Sequence, residues 1–353
     1  MLGKKTSYWD EKGCLETVRA LCQQPASWKR TQKQVRDQKD ALKAFMEPAL
    51  ARPDLTIAFC GLQGVLAKTL FDWADTDVKY ETRWLAEGET LSDQKNMVLV
   101  SIETEENTME LAEIIDRQPV SVLHVIVTGS EKSPLVHAAQ GLVNMYGLVV
   151  KDAGLTSLIL AAFMTLHLEI LDDLQLDDMI HSATQVLNQN APVLEDFAAS
   201  HTYPALRAVG FNIRQKRHGM KEMTGVMKAS FISPYTGLPY DGEPLNLLYL
   251  PDDPSLKKEQ VELTKVLRRE GQLVLAVEAR HEEAIRADGT LDLKLLMARH
   301  NVYAAFAFLT VFEAMVVFTA AKHNIALDDG PRDIRMSLDS WMEKAKLEDV
   351  IDA

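Results

Sequence analysis

Leu55-Thr56-Ile57-Ala58-Phe59-Cys60 is a short apolar run closed by Gly61. It lacks the apolar–polar alternation of a strand on a half-wet sheet, and reads as a strand buried on both faces. Three runs of the same kind follow, at residues 97–102 (MVLVSI), 122–127 (VLHVIV) and 147–150 (GLVV). Helical patterns lie between them, at 106–117 and 134–145. Strands alternating with helices predict a parallel sheet with helices on both faces. A polar helix over 172–200 reads as the connection to a second half. There the alternation resumes, with strands at 229–232, 245–250 and 273–277 and a helix at 254–269. The expectation is an α/β chain of two tandem, doubly wound parallel-sheet domains.

Upstream, residues 14–50 are helical in pattern. Pro25 is expected to break that run, and Trp28, Val35, Leu42, Phe45 and Met46 then form an apolar stripe. The expected organisation is an N-terminal helical segment (1–50), a first domain (51–195) and a second domain (196–353). The last ends in a polar tail from Asp328 with a charged helical stretch. Residues 302–321 (VYAAFAFLTVFEAMVVFTAA) have the length of a membrane span. Glu313 at the middle, where a carboxylate in lipid is costly, favours a helix buried in protein or a dimer interface.

Of the 353 residues, 47% are apolar and 25% charged, the balance of a globular protein and not of a disordered chain. The net charge of −13 repels nucleic-acid phosphates and anionic lipid, so neither nucleic acid nor membrane is expected as a partner. Cys14, Cys22 and Cys60 are odd in number and lack metal-ligand spacing, which fits a reducing cytoplasm. The polar stretch 1–10 has no signal-peptide pattern, and a cytoplasmic location is expected.

Generic catalytic motifs are missing: there is no GxGxxG, Walker loop, HExxH or GxSxG. His281-Glu282-Glu283 is better read as a solvated turn, because adjacent helical residues do not share a face. Arg214-Gln215-Lys216-Arg217-His218 is the one basic cluster, suited to a phosphate or to solvent. Ligands in such sheets bind where strands turn into helices, here residues 61–65, 103–108 and 128–133.

Gln23-Gln24-Pro25 with Trp28 and Thr31, followed by a helix into Leu55-Thr56-Ile57 and Gly61, resembles the double sugar-isomerase (SIS) domain proteins. The nearest subgroup is the galactosamine-6-phosphate deaminase, or tagatose-6-phosphate ketose/aldose isomerase. The resemblance implies two SIS-like domains, a homodimer, a small sugar-derivative ligand, no metal and no cofactor. It places the ligand turns at Gly61 and Gly64, at Glu105, Asn107 and Thr108, at Ser130, at Thr156 and Ser157, and at Thr236. Both hydroxyls of the first family turn are absent, and Val65 stands at one of those positions. Glu105 and Glu106 stand where relatives meet phosphate. A like charge at about 4 Å costs on the order of several kcal/mol at intermediate dielectric. The family's general base falls at Gln215, which cannot take a proton, and its ring-opening histidine falls at Tyr240. A shift of register would bring Glu222 or His218 into those roles.

The first functional reading is therefore a catalytically degenerate SIS-type protein with a carbohydrate-derivative-binding or regulatory role. The second is a working phosphosugar isomerase or deaminase, supported by Asn107, Thr108, Thr156, Ser157, Thr236 and the basic cluster. A third is a site for a non-anionic or cationic ligand, with Glu105 and Glu106 reading an amine.

Overall fold

The computed structural model describes residues 1–52, 54–60, 67, 81–85, 96–104, 107–168, 173–209, 226–231, 243–252, 254–280, 286–297, 301–328 and 334–339. Two compact units emerge, and they do not follow chain order. One comprises Met1–Pro25 and Leu174–Ala353; the other is Ala26–Asp173.

The Ala26–Asp173 unit holds a five-stranded, all-parallel sheet. Its strands are β1 (Thr56–Cys60), β2 (Glu81–Leu85), β3 (Met97–Glu103), β4 (Leu123–Thr128) and β5 (Met145–Val149), in the order β2-β1-β3-β4-β5. All seven residues of β3 are buried, as its unbroken apolar run predicts. Helix α4 (Thr108–Asp116) follows β3 and α5 (Pro134–Ala139) follows β4. The latter is shorter than the 134–145 expected. Ser133 caps its start by accepting from the amides of Leu135 and Val136, and Gly141 at φ +92° ends it, freeing Met145 for the strand. Helix α6 (Leu155–Leu166) then runs through the interior, with every residue after Leu155 buried.

The N-terminal helices are α1 (Thr6–Glu11), α2 (Leu15–Asp37) and α3 (Lys39–Leu50). Contrary to expectation, Pro25 does not interrupt α2. A proline inside a helix costs about 3 kcal/mol, and buried residues on both sides outweigh it. Val18, Leu21, Trp28 and Val35 along the same helix are 0–3% exposed. The apolar stripe continues as read: Leu42 and Met46 are fully buried, and Phe45 lies against the Tyr146 ring at 5.6 Å. Edge strand β5 is protected by two glutamines, Gln34 of α2 and Gln38 just before α3. Gln38 donates to the Val149 carbonyl, and Gln34 makes two hydrogen bonds with the Lys151 backbone.

In the other unit, α7 (Asp173–Gln185) and α8 (Ala191–Ser200) are joined by a π-helical turn, Val186–Asn190. That turn directly precedes Pro192, whose missing N–H relaxes the α-helical ladder. The six-stranded sheet contains β6 (Ala205–Val209), β7 (Val226–Phe231), β8 (Leu245–Leu250), β9 (Val274–Glu278), β10 (Gly289–Asp292) and β11 (Ile334–Asp339). Its order is β10-β9-β8-β6-β7-β11. β6, β8, β9 and β10 are parallel, which gives the doubly wound core expected, but the strand read at 229–232 falls in β7, which runs antiparallel, and β6 and β10 were not foreseen. β7 and β11 extend the sheet antiparallel, so the polar tail contributes a strand within the stretch from Asp328. Helix α9 (Pro254–Arg269) connects β8 and β9.

Helix α10 (Asn301–Lys322) is the membrane-length segment. By length and composition it could cross a bilayer, yet 94% of its most apolar window is buried within the protein. It packs on α8, β6 and the π-turn. The start of α2 is capped by a distant side chain. Asp328 accepts from the amides of Glu16 and Thr17 at 2.9 Å and from the Thr17 hydroxyl at 2.8 Å. Burial opposes its charge, but these donors outweigh it and hold the carboxyl below the usual range.

Within the Ala26–Asp173 unit, the fully buried Trp28 donates its indole N–H to Thr156 Oγ1 on α6 at 3.1 Å. Replacing it by Phe removes that donor and leaves a small void. Trp28→Phe should lower the unfolding free energy by about 1–3 kcal/mol in a denaturant titration.

Candidate functional site

In parallel α/β sheets the ligand edge is the carboxyl end of the strands. In the Ala26–Asp173 unit that edge is formed by the ends of β3 and β4, the turns after them, and the start of α6, which packs on both strands. Asn107, Thr108, Ser130, Thr156 and Ser157 all lie there, so the structure brings this expected group to one edge. Gly61, Gly64, Val65, Glu105, Glu106, Gln215, His218, Glu222, Thr236, Tyr240, the basic cluster 214–218 and residues 281–283 lie outside the described residues.

The side chains at this edge are engaged with the protein itself. Asn107 is 4% exposed; its Oδ1 accepts from the Thr104 amide at 2.8 Å, and its Nδ2 donates to the Ile102 carbonyl at 3.0 Å. Thr108 donates to Glu103 Oε1 at 3.0 Å and reaches the Thr104 carbonyl at 3.1 Å. Thr156 receives the Trp28 indole, and Ser157 is 1% exposed. Ser130 is exposed and accepts from the Lys132 amide at 3.2 Å. Beside it an exposed ion pair joins Lys151 and Glu131 at 2.7 Å.

Glu103 is the residue the sequence reading passed over. It is 3% exposed at the last position of β3, in register with Thr128, and among the described residues its Oε2 has no hydrogen-bond partner. A buried carboxylate oxygen without a donor carries a desolvation penalty of a few kcal/mol. The signal was present in the sequence as an acid closing the run MVLVSI.

A second constellation lies deeper, on the α4-covered face. Cys60 Sγ and Ser101 Oγ are 2.7 Å apart, and Ser101 Oγ lies 2.6 Å from His124 Nε2. The trio has the residue types of a nucleophile relay, but its environment forbids that chemistry. Burial pushes the Cys60 thiol up to about 12 and the His124 imidazole down to about 3, so neither the thiolate nor the imidazolium forms near neutrality.

 The burial of the thiol on all sides sets the Cys60 value, and the neighbouring Ser101 only softens it. These three residues form a buried polar link across β1, β3 and β4.

In the other unit, the carboxyl ends of β8, β9 and β10 are tied together. Arg280 donates to the carbonyls of Leu295 and Leu296 and lies 3.8 Å from Asp252. Asp178 on α7 accepts from the amides of Leu296 and Met297 at 2.8 Å. Among the described residues, no group of three or more His, Cys, Asp or Glu could hold a metal ion.

No family model matches the chain, and no curated protein matches it in sequence. Solved structures do match. A proposed tagatose-6-phosphate ketose/aldose isomerase from Clostridium novyi superposes with a TM-score of 0.72 at 14% identity, over 93% of this chain and 94% of that one. The tagatose-6-phosphate ketose/aldose isomerase from Escherichia coli gives 0.60 at 15%, over 87% and 92%. A proposed phosphosugar isomerase from Silicibacter pomeroyi gives 0.53 at 12%, over 85% and 95%. At such identities the likeness establishes architecture: the chain has the tandem SIS fold of these proteins, over nearly its whole length.

Two measurements check the buried relay. Under native conditions a thiol reagent should label Cys22 first and leave Cys60 unmodified until the protein unfolds, read by mass spectrometry. By NMR, the His124 imidazole should stay neutral from pH 8 to pH 5.

Proposed function

We propose that this chain is a SIS-fold, phosphosugar-isomerase-like protein that has lost the family's chemistry and serves as a carbohydrate-derivative-binding or regulatory protein. The observation that carries this reading is the edge after β3. Its Asn107 and Thr108 side chains are hydrogen-bonded into the protein, and Glu103 sits buried beside them with an unpartnered oxygen. A phosphate there would meet a carboxylate instead of free hydroxyls. Gln215 and Tyr240, at the positions the resemblance gives to the base and the ring-opening group, point the same way.

A second reading, an active phosphosugar isomerase or deaminase, draws on the 93% and 94% coverage shared with the Clostridium novyi protein. Fold alone does not carry function, which places this reading second.

The test is a panel of hexoses and hexosamines with and without a 6-phosphate, with binding read by thermal shift and turnover by a coupled assay. The wild-type chain should bind no sugar 6-phosphate more tightly than its unphosphorylated counterpart, and should turn none over. Tight binding or turnover of any sugar 6-phosphate would overturn the proposal. The double substitution Glu105→Ser with Glu106→Gly should raise affinity for sugar 6-phosphates at least tenfold, if charge at this turn is what excludes them.

A further inference from the structure

Glu313 is the acid in the middle of the otherwise apolar helix α10. Its neighbours along the helix, from Leu309 to Val317, are all buried. Its Oε2 accepts from Gln24 Nε2 of α2 at 2.7 Å, a contact inside the unit that contains Met1–Pro25. Gln24 Oε1, the other half of the same amide, is buried and has no hydrogen-bond partner among the described residues. An ionised Glu313 offers only acceptors, so it can satisfy the amide N–H but never the amide oxygen. One proton on the carboxyl supplies the missing donor. Acid and amide, each only partly exposed, can then face each other through two hydrogen bonds with no net charge.

We propose that Glu313 is held as a neutral carboxylic acid in a two-point hydrogen-bonded pair with Gln24, and that loss of its proton loosens α2 around Gln24 from α10. The rest of the surroundings agree. Burial raises the Glu313 carboxyl to about 7, and the Gln24 amide only partly opposes it. Charged groups on the elements packed around α10 are engaged elsewhere. Arg19 pairs with Glu16, Lys4 pairs with Glu195, and Lys322 donates to the carbonyls of Ala198 and His201. Among the described residues, the titratable and charged groups nearby also include Asp196 on α8, Arg207 on β6, Cys22 on α2, Tyr8, Asp10 and Glu11 on α1, Tyr203, which bonds Thr319 of α10, and Tyr249, which packs on Phe308 of α10. Among the described residues, none of these groups acts on Glu313.

The sign follows from linkage. A carboxyl raised above its ordinary value binds its proton more tightly in the folded state. The Gln24–Glu313 tether is therefore complete at low pH and is lost as pH rises through about 7. Loosening stays local, because Asp328 still caps the start of α2 and Trp9 still packs on Phe318 at 5.9 Å.

The test uses the full-length chain. Infrared spectroscopy should show a protonated-carboxyl carbonyl band at pH 6 that disappears by pH 8.5 and is absent from Glu313→Gln. Hydrogen exchange, corrected for the intrinsic rate, should show protection near residue 24 falling at least tenfold over that interval. In Glu313→Gln, where an amide pair replaces the acid pair at every pH, protection should stay flat. Gln24→Leu removes the acceptor, so its infrared band should move toward that of a free acid. The proposal fails if no such band titrates in the wild type, if protection does not change, or if Glu313→Gln shows the same fall. Should Glu313→Gln fail to fold, the wild-type and Gln24→Leu spectra decide alone.

Discussion

A helix buried along nearly its whole length can carry a polar side chain only where another segment brings it a partner. Helices α6 and α10 are under that constraint, and they occupy equivalent places. In the Ala26–Asp173 unit, β1, β3, β4 and β5 are neighbouring parallel strands, and α6 follows the last of them. In the other unit, β6, β8, β9 and β10 are neighbouring parallel strands, and α10 follows the last. Thr156 on α6 is met by Trp28, and Glu313 on α10 is met by Gln24. Both donors belong to α2, four residues apart, with Pro25 between them at the point where one unit ends and the other begins. The proline is tolerated because the helix is held on either side of it by these bonds and by fully buried residues such as Val18 and Val35.

The parts of the fold that were legible in the sequence are those governed by double-sided burial. Residues 97–102 and 245–250 are continuous apolar runs, and the strands fall on them almost residue for residue. What escaped the reading was either short or partly polar. β2 is ETRWL, β6 is ALRAV with Arg207 at its centre, β10 is GTLD and β11 is IRMSLD, and none has an apolar run to mark it. β2, β10 and β11 are also the outer strands of their sheets, where a strand has a neighbour on one side only. Helix breaking was over-read at Pro25 and under-read after Ala139. In both places local propensity competed with packing: at Pro25 packing won, and at Gly141 the positive φ ended the helix.

The candidate site was legible by position and illegible by orientation. The turns after β3 and β4 and the start of α6 do share one sheet edge, as the strand–helix alternation implies. Residue type could not say that Asn107 folds back onto Thr104 and Ile102, or that Thr156 faces an indole. A hydroxyl or amide at a ligand-binding position reads the same whether it is turned outward or engaged at home. Glu103 shows the converse case. It looks like the polar end of a strand, yet register with Thr128 keeps it buried at the edge itself.

This difference between position and orientation bears on what a shared fold can say. The solved structures that resemble this chain match nearly all of it, at identities of 12–15%. An architecture built on double-sided strand burial and helix packing survives such divergence, because many apolar sequences satisfy it. A phosphate site does not, because it depends on a few donors pointing outward and on the absence of buried negative charge. In this chain Asn107 and Thr108 point inward, and Glu103 brings a carboxylate. One fold can therefore carry different side-chain orientations at the same strand end, as Asn107, Thr108 and Glu103 show at the end of β3.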